Sequence, residues 1–222
     1  MQKNINSYDC CCFSDQWGGI YILYFAYLMI EKLFATLFFR KNIVIQGSLP
    51  MGGFVLAANH VGWLDIVFLG TAIWPRHVHF MAKKELFKNS FISLILNSLN
   101  AFPVNRANPG PSSLKIPINL LREGEIVGIF PSGTRSQENI SLKKGAVTIA
   151  QLLDVPIVPV FYKGPSTISW KYLFKKRKVD IIIGRPIIEV DSNKSVNEKR
   201  ALLMDSFQKS LIELEKEIKC GC

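Results

Sequence analysis

Residues 54–73 decide the fold, and they read FVLAANHVGWLDIVFLGTAI. The first five, Phe54–Ala58, form an uninterrupted apolar run with the length of a buried strand. The letters NHVG interrupt this run, and the stretch DIVFLGTAI, which begins at Asp65, has the apolar spacing of a helix. The sequence therefore predicts a buried strand, a polar turn and a helix in direct succession.

Short apolar runs alternate with helical periodicity along the rest of the chain, which is the pattern of strand–helix units. Strands are predicted at 43–47, 54–58, 77–82, 101–104, 125–130, 156–162 and 179–183. Helices are predicted at about 65–73, 85–99, 112–122, 144–153 and 196–219, the last of them amphipathic. The predicted fold class is α/β, a mixed sheet flanked by helices.

The amino-acid composition favours some classes of binding partner over others. The 222 residues carry 27 Lys and Arg against 17 Asp and Glu, a net charge of +10, and 49% are hydrophobic. A chain this basic and this apolar favours a membrane surface as partner and disfavours nucleic acid. The cysteines offer neither a disulfide framework nor metal-ligand spacing, because all of them lie near the ends: Cys10, Cys11, Cys12, Cys220 and Cys222.

An apolar, aromatic-rich segment lies at residues 17–39, WGGIYILYFAYLMIEKLFATLFF. It has about the ~20 residues that a helix needs to cross a bilayer. Glu31 and Lys32 interrupt it, and this charged pair favours an interfacial or broken helix at least as much as a true span. The predicted domains are a membrane-associated helical segment at 1–42, an α/β domain at 43–190 and a C-terminal amphipathic helix at 191–222.

His60 and Asp65 are the first candidate catalytic pair. On a continuous helix, residues five apart point about 140° away from each other. If Val61 and Gly62 form a turn and Asp65 is the N-cap of the next helix, the carboxylate can reach one imidazole nitrogen and leave the other free to accept a proton. Such a pair lacks its own nucleophile, so the hydroxyl that it activates belongs to a substrate. The alternative is a helix-capping Asp beside an unrelated histidine.

The stretch FPSGTRS at 130–136 follows an apolar strand and is a candidate anion cradle. Open backbone N–H groups in a glycine-containing turn, together with the guanidinium of Arg135, suit a phosphate. A nucleophile elbow is not indicated, because glycines would be needed where Phe130 and Thr134 stand. The alternative is a surface turn with a solvated arginine.

Lys84 and Arg106 each follow a predicted strand, and ligands collect at the carboxyl ends of strands in α/β sheets. If the strands are neighbours, these two cations converge with Arg135 on one anionic group. Ordinary solvated charges are the alternative.

His77 and His79 alternate along one strand and, with His60, could supply three zinc ligands. That interpretation leaves the FPSGTRS turn unexplained, so histidines at the surface or packed on a strand are favoured over a zinc site.

Five blocks of sequence together resemble one known family. They are AANHVGWLD at 57–65, MAKKEL at 81–86, FPVNR at 102–106, FPSGTRS at 130–136 and VPIVPV at 155–160. In this order and with these gaps they resemble the glycerolipid acyltransferases, and in particular the bacterial 1-acylglycerol-3-phosphate acyltransferases. The resemblance covers about residues 43–190 and implies an α/β domain with a membrane-associated N-terminal helical segment.

The resemblance also implies the roles of individual residues. His60 would be the general base and Asp65 its orienting partner. Ser132 stands where many relatives carry Glu, so no carboxylate acts at that position of the phosphate loop. No metal or cofactor is implied. The acceptor's phosphate would be bound by Lys84, Arg106, Gly133, Thr134 and Arg135.

The implied reaction moves an acyl chain from acyl-CoA or acyl-carrier protein to lysophosphatidic acid, giving phosphatidic acid. The implied location is the cytoplasmic face of the cell membrane, on anionic lipid, by monotopic or single-anchor association. A related lysolipid acyltransferase or a non-catalytic basic membrane-binding protein remains the alternative.

Overall fold

The structure, a computed structural model, describes Met29 and residues 39–105, 112–131, 145–167, 177–188 and 195–220. The strands are β1 (Phe39–Ile45), β2 (Phe54–Ala58), β3 (Val78–Lys83), β4 (Phe102–Val104), β5 (Ile126–Ile129), β6 (Ile157–Lys163) and β7 (Arg177–Ile183). The helices are α1 (Trp63–Ala72), a 3₁₀ helix (Lys84–Lys88), α2 (Ser90–Ser98), α3 (Ser112–Arg122), α4 (Gly145–Leu153) and α5 (Val196–Cys220).

Within the described residues the strands form one sheet in the order β1-β7-β6-β2-β5-β3-β4. Neighbouring strands are parallel except β6 and β7, which are antiparallel. The prediction of an α/β fold with a mixed sheet flanked by helices is therefore confirmed.

The register places the ends of four strands at one edge of the sheet. Ala57 of β2 pairs with Ile129 of β5, and Lys83 of β3 pairs with Val104 of β4. Because β2, β5, β3 and β4 run parallel, their carboxyl ends lie side by side. This carboxyl edge is where ligands bind in sheets of this kind.

Strand β2 is central, which explains its continuous apolar sequence. Its five residues are all buried, because helices cover both faces of the sheet. Phe54, Leu56 and Ala58 pack with α1 and α2 on one face, whereas Val55 and Ala57 pack with α3, α4 and α5 on the other. The alternation of side chains along a strand divides the run between the two layers.

The first strand differs from its prediction. It begins at Phe39 and ends at Ile45, whereas residues 43–47 were expected. Phe39 is 3% exposed and contacts the ring of Phe68 at a centroid distance of 5.2 Å, so the last aromatic residue of the N-terminal apolar stretch belongs to the core of the sheet domain.

The single helix predicted at 85–99 is wrong, because the chain forms a 3₁₀ helix followed by α2. Asn89 separates them. Its side chain accepts hydrogen bonds from the N–H groups of Phe91 and Ile92 at 3.0 and 3.1 Å, so it starts a new helix instead of continuing the old one.

The N-terminal membrane-associated segment lies outside the described residues, apart from Met29 and the residues of β1. In the described ranges, no helix combines the length and the apolarity needed to cross a membrane. The domain limits at 42 and 190 stay predictions.

Candidate active site

The candidate catalytic pair lies at the junction of β2 and α1. Nδ1 of His60 lies 2.9 Å from Oδ2 of Asp65. Helix α1 begins at Trp63 with Gly62 as its N-cap, so Asp65 is the third helical residue and the prediction that it is the N-cap is wrong. The side chain of Asp65 points back toward the residues that precede the helix, as an acidic side chain does in a capping box, and there it contacts His60.

Asp65 is completely buried and its orientation is fixed by the backbone. Oδ2 accepts hydrogen bonds from the N–H groups of Val61 and Gly62 at 2.6 and 3.0 Å, in addition to its contact with His60. An oxygen that faces two N–H groups is an acceptor, so Nδ1 of His60 must be the donor in their shared contact. Nε2 then carries the lone pair that can take a proton.

The ring of His60 is held between this carboxylate and an aromatic side chain. Phe130, which follows β5, lies at a ring-centroid distance of 4.4 Å with an interplanar angle of 32°. The side chain of His60 is 14% exposed, so part of the ring stays accessible at the carboxyl edge. A substrate hydroxyl can therefore approach an imidazole whose orientation is already set.

Asn59 fixes the backbone immediately before His60. Its Nδ2 donates to the carbonyl oxygen of Tyr162 at 2.9 Å, and its Oδ1 accepts from the N–H of Tyr162 at 2.7 Å. The side chain thus extends the pairing of β2 with β6 one step beyond Ala58 and Val160. Sequence reasoning missed this role, although a polar amide at the end of a buried strand is a signal for it.

A loop that follows β6 also contacts the N-terminus of α1. The carbonyl oxygen of Ser166 accepts from the N–H of Trp63 at 3.0 Å. A Cβ atom on residue 62 would collide with that oxygen, so glycine is required there by the close approach of the two backbones. The hydroxyl of Tyr162 donates to the carbonyl oxygen of Pro165 at 2.9 Å and holds the same loop. Sequence reasoning missed this contact as well.

Lys84 lies on the same edge of the sheet as the candidate pair His60 and Asp65. It is exposed and directly follows β3, which is separated from β2 by β5 alone. Two strand spacings correspond to about 10 Å across the sheet. The structure therefore brings His60 and Asp65 into contact and places Lys84 on their edge. The other predicted phosphate-binding residues, Arg106, Gly133, Thr134 and Arg135, lie outside the described residues.

His77 and His79 lie at the opposite, amino-terminal end of β3. Nε2 of His79 lies 3.5 Å from Oε2 of Glu125. Burial lowers the pKa of both histidines, and nearby Glu125 opposes the shift. Since His60 is on the other edge of the sheet, the three histidines do not converge. The described part of the chain contains no cluster of His, Cys, Asp and Glu suited to a metal ion.

Comparison with known proteins gives the family. The family model described as Acyltransferase matches residues 41–163, which include the β2–α1 junction. The chain is 52% identical to the 1-acyl-sn-glycerol-3-phosphate acyltransferase of Bacillus subtilis, over 75% of this chain and 83% of that one. It is 36% identical to the enzyme of the same name from Streptococcus pneumoniae, over 75% of this chain and 62% of that one.

A solved structure is similar over nearly the whole chain. The crystal structure of the 1-acyl-sn-glycerophosphate (LPA) acyltransferase PlsC from Thermotoga maritima aligns with a TM-score of 0.64 and 26% identity. The alignment covers 92% of this chain and 84% of that one. The chain therefore belongs to the acyltransferase family of enzymes.

Proposed function

We propose that the protein transfers a fatty acyl chain from a thioester donor to the free hydroxyl of 1-acylglycerol-3-phosphate, giving phosphatidic acid. The observation that carries the proposal is the contact of His60 Nδ1 with Asp65 Oδ2 at the carboxyl edge of the sheet. The names of the Bacillus and Streptococcus relatives support the choice of acceptor.

In the proposed reaction, Nε2 of His60 takes the proton of the acceptor hydroxyl while the hydroxyl oxygen attacks the thioester carbonyl carbon. Nδ1 keeps its proton and its contact with Asp65, which stabilises the imidazolium that forms. The tetrahedral intermediate then collapses, the carbon–sulfur bond breaks, and the thiolate leaves and receives the proton from Nε2. A positioned base of this kind contributes about 10²–10⁴ in rate.

The acceptor's phosphate is proposed to bind on the same edge. Lys84 is exposed there. Cations after neighbouring parallel strands suit the phosphate, because hydroxyl and phosphate sit on adjacent carbons of one glycerol and must be held together. The resemblance in sequence supports the same role for Arg106, Gly133, Thr134 and Arg135.

The enzyme is proposed to work on the cytoplasmic face of a membrane. The acceptor's acyl chain resides in a bilayer, whereas acyl-CoA and acyl-carrier protein are soluble donors. A net charge of +10 suits an anionic lipid surface, to which each nearby Lys or Arg adds about 1 kcal/mol of attraction. Residues 17–39 are the proposed anchor.

The experiment that tests the proposal is an assay of the purified full chain with lysophosphatidate. Acyl-CoA and acyl-carrier protein are supplied in parallel reactions, and lysolipids with other headgroups are supplied as competing acceptors. We expect phosphatidate to form with at least one donor and lysophosphatidate to be the preferred acceptor. Faster acylation of another lysolipid would reassign the acceptor, and absence of acylation with both donors would overturn the proposal.

A further inference from the structure

Helix α2 presents apolar side chains on two sides. Leu96 is 1% exposed, and Ile92 packs beside it against the core. Phe91, Leu94 and Ile95 are 71%, 57% and 40% exposed. Because residues three and four apart are neighbours on a helix, these three form one continuous apolar stripe that the described protein does not cover.

Basic residues precede this stripe in the chain. Lys84 and Lys88 are both exposed on the 3₁₀ helix that leads into α2. Lys88, Phe91, Leu94 and Ile95 are called the α2 patch below. An apolar stripe accompanied by lysines is the pattern of a helix that lies in the interface of an anionic membrane.

The α2 patch begins at the edge of the sheet that carries His60 and Asp65. Helix α2 follows the 3₁₀ helix that starts at the carboxyl end of β3, and only β5 separates β3 from the strand that leads to His60. A surface in contact with the α2 patch would therefore lie beside the carboxyl edge of the sheet.

We propose that the α2 patch binds an anionic lipid bilayer, inserting Phe91, Leu94 and Ile95 at the headgroup level while Lys88 contacts lipid phosphates. The inference rests on the proposed function, because an acceptor with its acyl chain in the bilayer must reach His60 from that surface. The positive charge beside the α2 patch favours a bilayer over a second copy of the chain as the occupant. Two facing copies would bring Lys84 and Lys88 of both chains together, whereas anionic lipid neutralises them.

The test compares two triple variants of the full chain. The patch variant carries Phe91→Ser, Leu94→Ser and Ile95→Ser. The matched control carries Leu152→Ser, Leu202→Ser and Ile212→Ser, which remove three apolar side chains of 61%, 45% and 43% exposure from α4 and α5 on the other face of the sheet. Binding is measured by co-sedimentation with vesicles of equimolar phosphatidylglycerol and phosphatidylcholine.

We expect the patch variant to bind these vesicles about tenfold more weakly than wild type or worse, since three partly inserted apolar side chains are lost. The control variant should bind like wild type. Lys88→Gln should weaken binding about fivefold on anionic vesicles and little on pure phosphatidylcholine, as one lysine contributes about that factor.

Equal vesicle binding by the patch and control variants would overturn the inference. So would loss of a dimer by the patch variant in gel filtration, which would identify a second copy as the occupant. A large drop in melting temperature of the patch variant alone would indicate that the chain's own N-terminal segment covers the stripe, and would also overturn it.

Activity separates this inference from the proposed function. If both hold, the patch variant should lose more activity on bilayer lysophosphatidate than on a soluble short-chain analogue. If wild type acylates neither substrate but vesicle binding depends on the α2 patch, the proposed function fails and the lipid contact stands.

Discussion

Replacing Asp65 with Asn removes one negative charge and leaves the shape of the side chain almost unchanged. The N–H groups of Val61 and Gly62 point at Oδ2, so the carboxamide must place its oxygen there. Its NH₂ group then takes the position of Oδ1, which is buried and accepts no hydrogen bond from the described residues. The tautomer of His60 is retained, because Nδ1 still meets an acceptor.

The expected loss of activity comes from the missing charge. With His60 Nδ1 and Asp65 Oδ2 2.9 Å apart, the centres of the two charged groups lie about 4 Å apart. At an effective dielectric constant of about 20, a carboxylate at that separation stabilises an imidazolium by roughly 4 kcal/mol. We therefore expect kcat/KM to fall by about 10²–10³ in Asp65→Asn.

The expected loss of stability is smaller than the loss of activity, and it is measured separately by thermal melting. Asp65→Asn buries one donor without a described acceptor, which costs about 1–3 kcal/mol. Asp65→Ala leaves the N–H groups of Val61 and Gly62 without their acceptor, which costs about twice as much. Thermal melting should therefore rank Asp65→Ala below Asp65→Asn and both below wild type.

The assay is the initial rate of phosphatidate formation, measured for His60→Ala, Asp65→Asn and the double variant. Because Asp65 is expected to act through His60, the double variant should be no slower than His60→Ala alone. Multiplicative loss in the double variant, or near-normal kcat/KM in a folded Asp65→Asn protein, would refute the reasoning.

Three further outcomes follow from the same structure. Asn59→Ala should lower kcat more than it raises KM, because it frees the backbone before His60 from β6; a pure KM effect in steady-state kinetics would contradict this. Gly62→Ala should lower both melting temperature and activity, because its methyl group collides with the carbonyl of Ser166; wild-type melting would contradict the close approach. Burial lowers the pKa of His79 below its ordinary value of 6.5 despite Glu125. The folded state then binds fewer protons than the unfolded state, so stability should fall as the pH drops below about 6.5, and less steeply in His79→Gln. An identical pH dependence of melting in the two proteins would count against it.

Local patterns in the sequence predicted most of the described helices and strands. The run Phe54–Ala58 is fully buried as strand β2, and residues 112–122 form the helix expected there. The spacing of His60 and Asp65 required a turn, and the turn exists. Asp65 is nevertheless the third residue of α1, because its carboxylate satisfies the backbone N–H groups that precede the helix.

Contacts between distant segments could not be predicted from the sequence. Asn59 and Tyr162 are 103 residues apart, and the contact of Ser166 with Trp63 depends on the same packing of β6 beside β2. Whether Lys84 lies near His60 depends on the order β2-β5-β3, which hydrophobic periodicity does not encode. These positions are fixed by the assembled sheet.

The turnover of lysophosphatidate by His60→Ala tests most directly the claim that His60 is the base. His79→Gln is the matched control, since it changes a half-buried histidine at the other edge of the sheet. With folding of both variants verified by thermal melting, kcat should fall by about 10²–10⁴ in His60→Ala and stay near wild type in His79→Gln. A folded His60→Ala protein that forms phosphatidate at nearly the wild-type rate would contradict the claim.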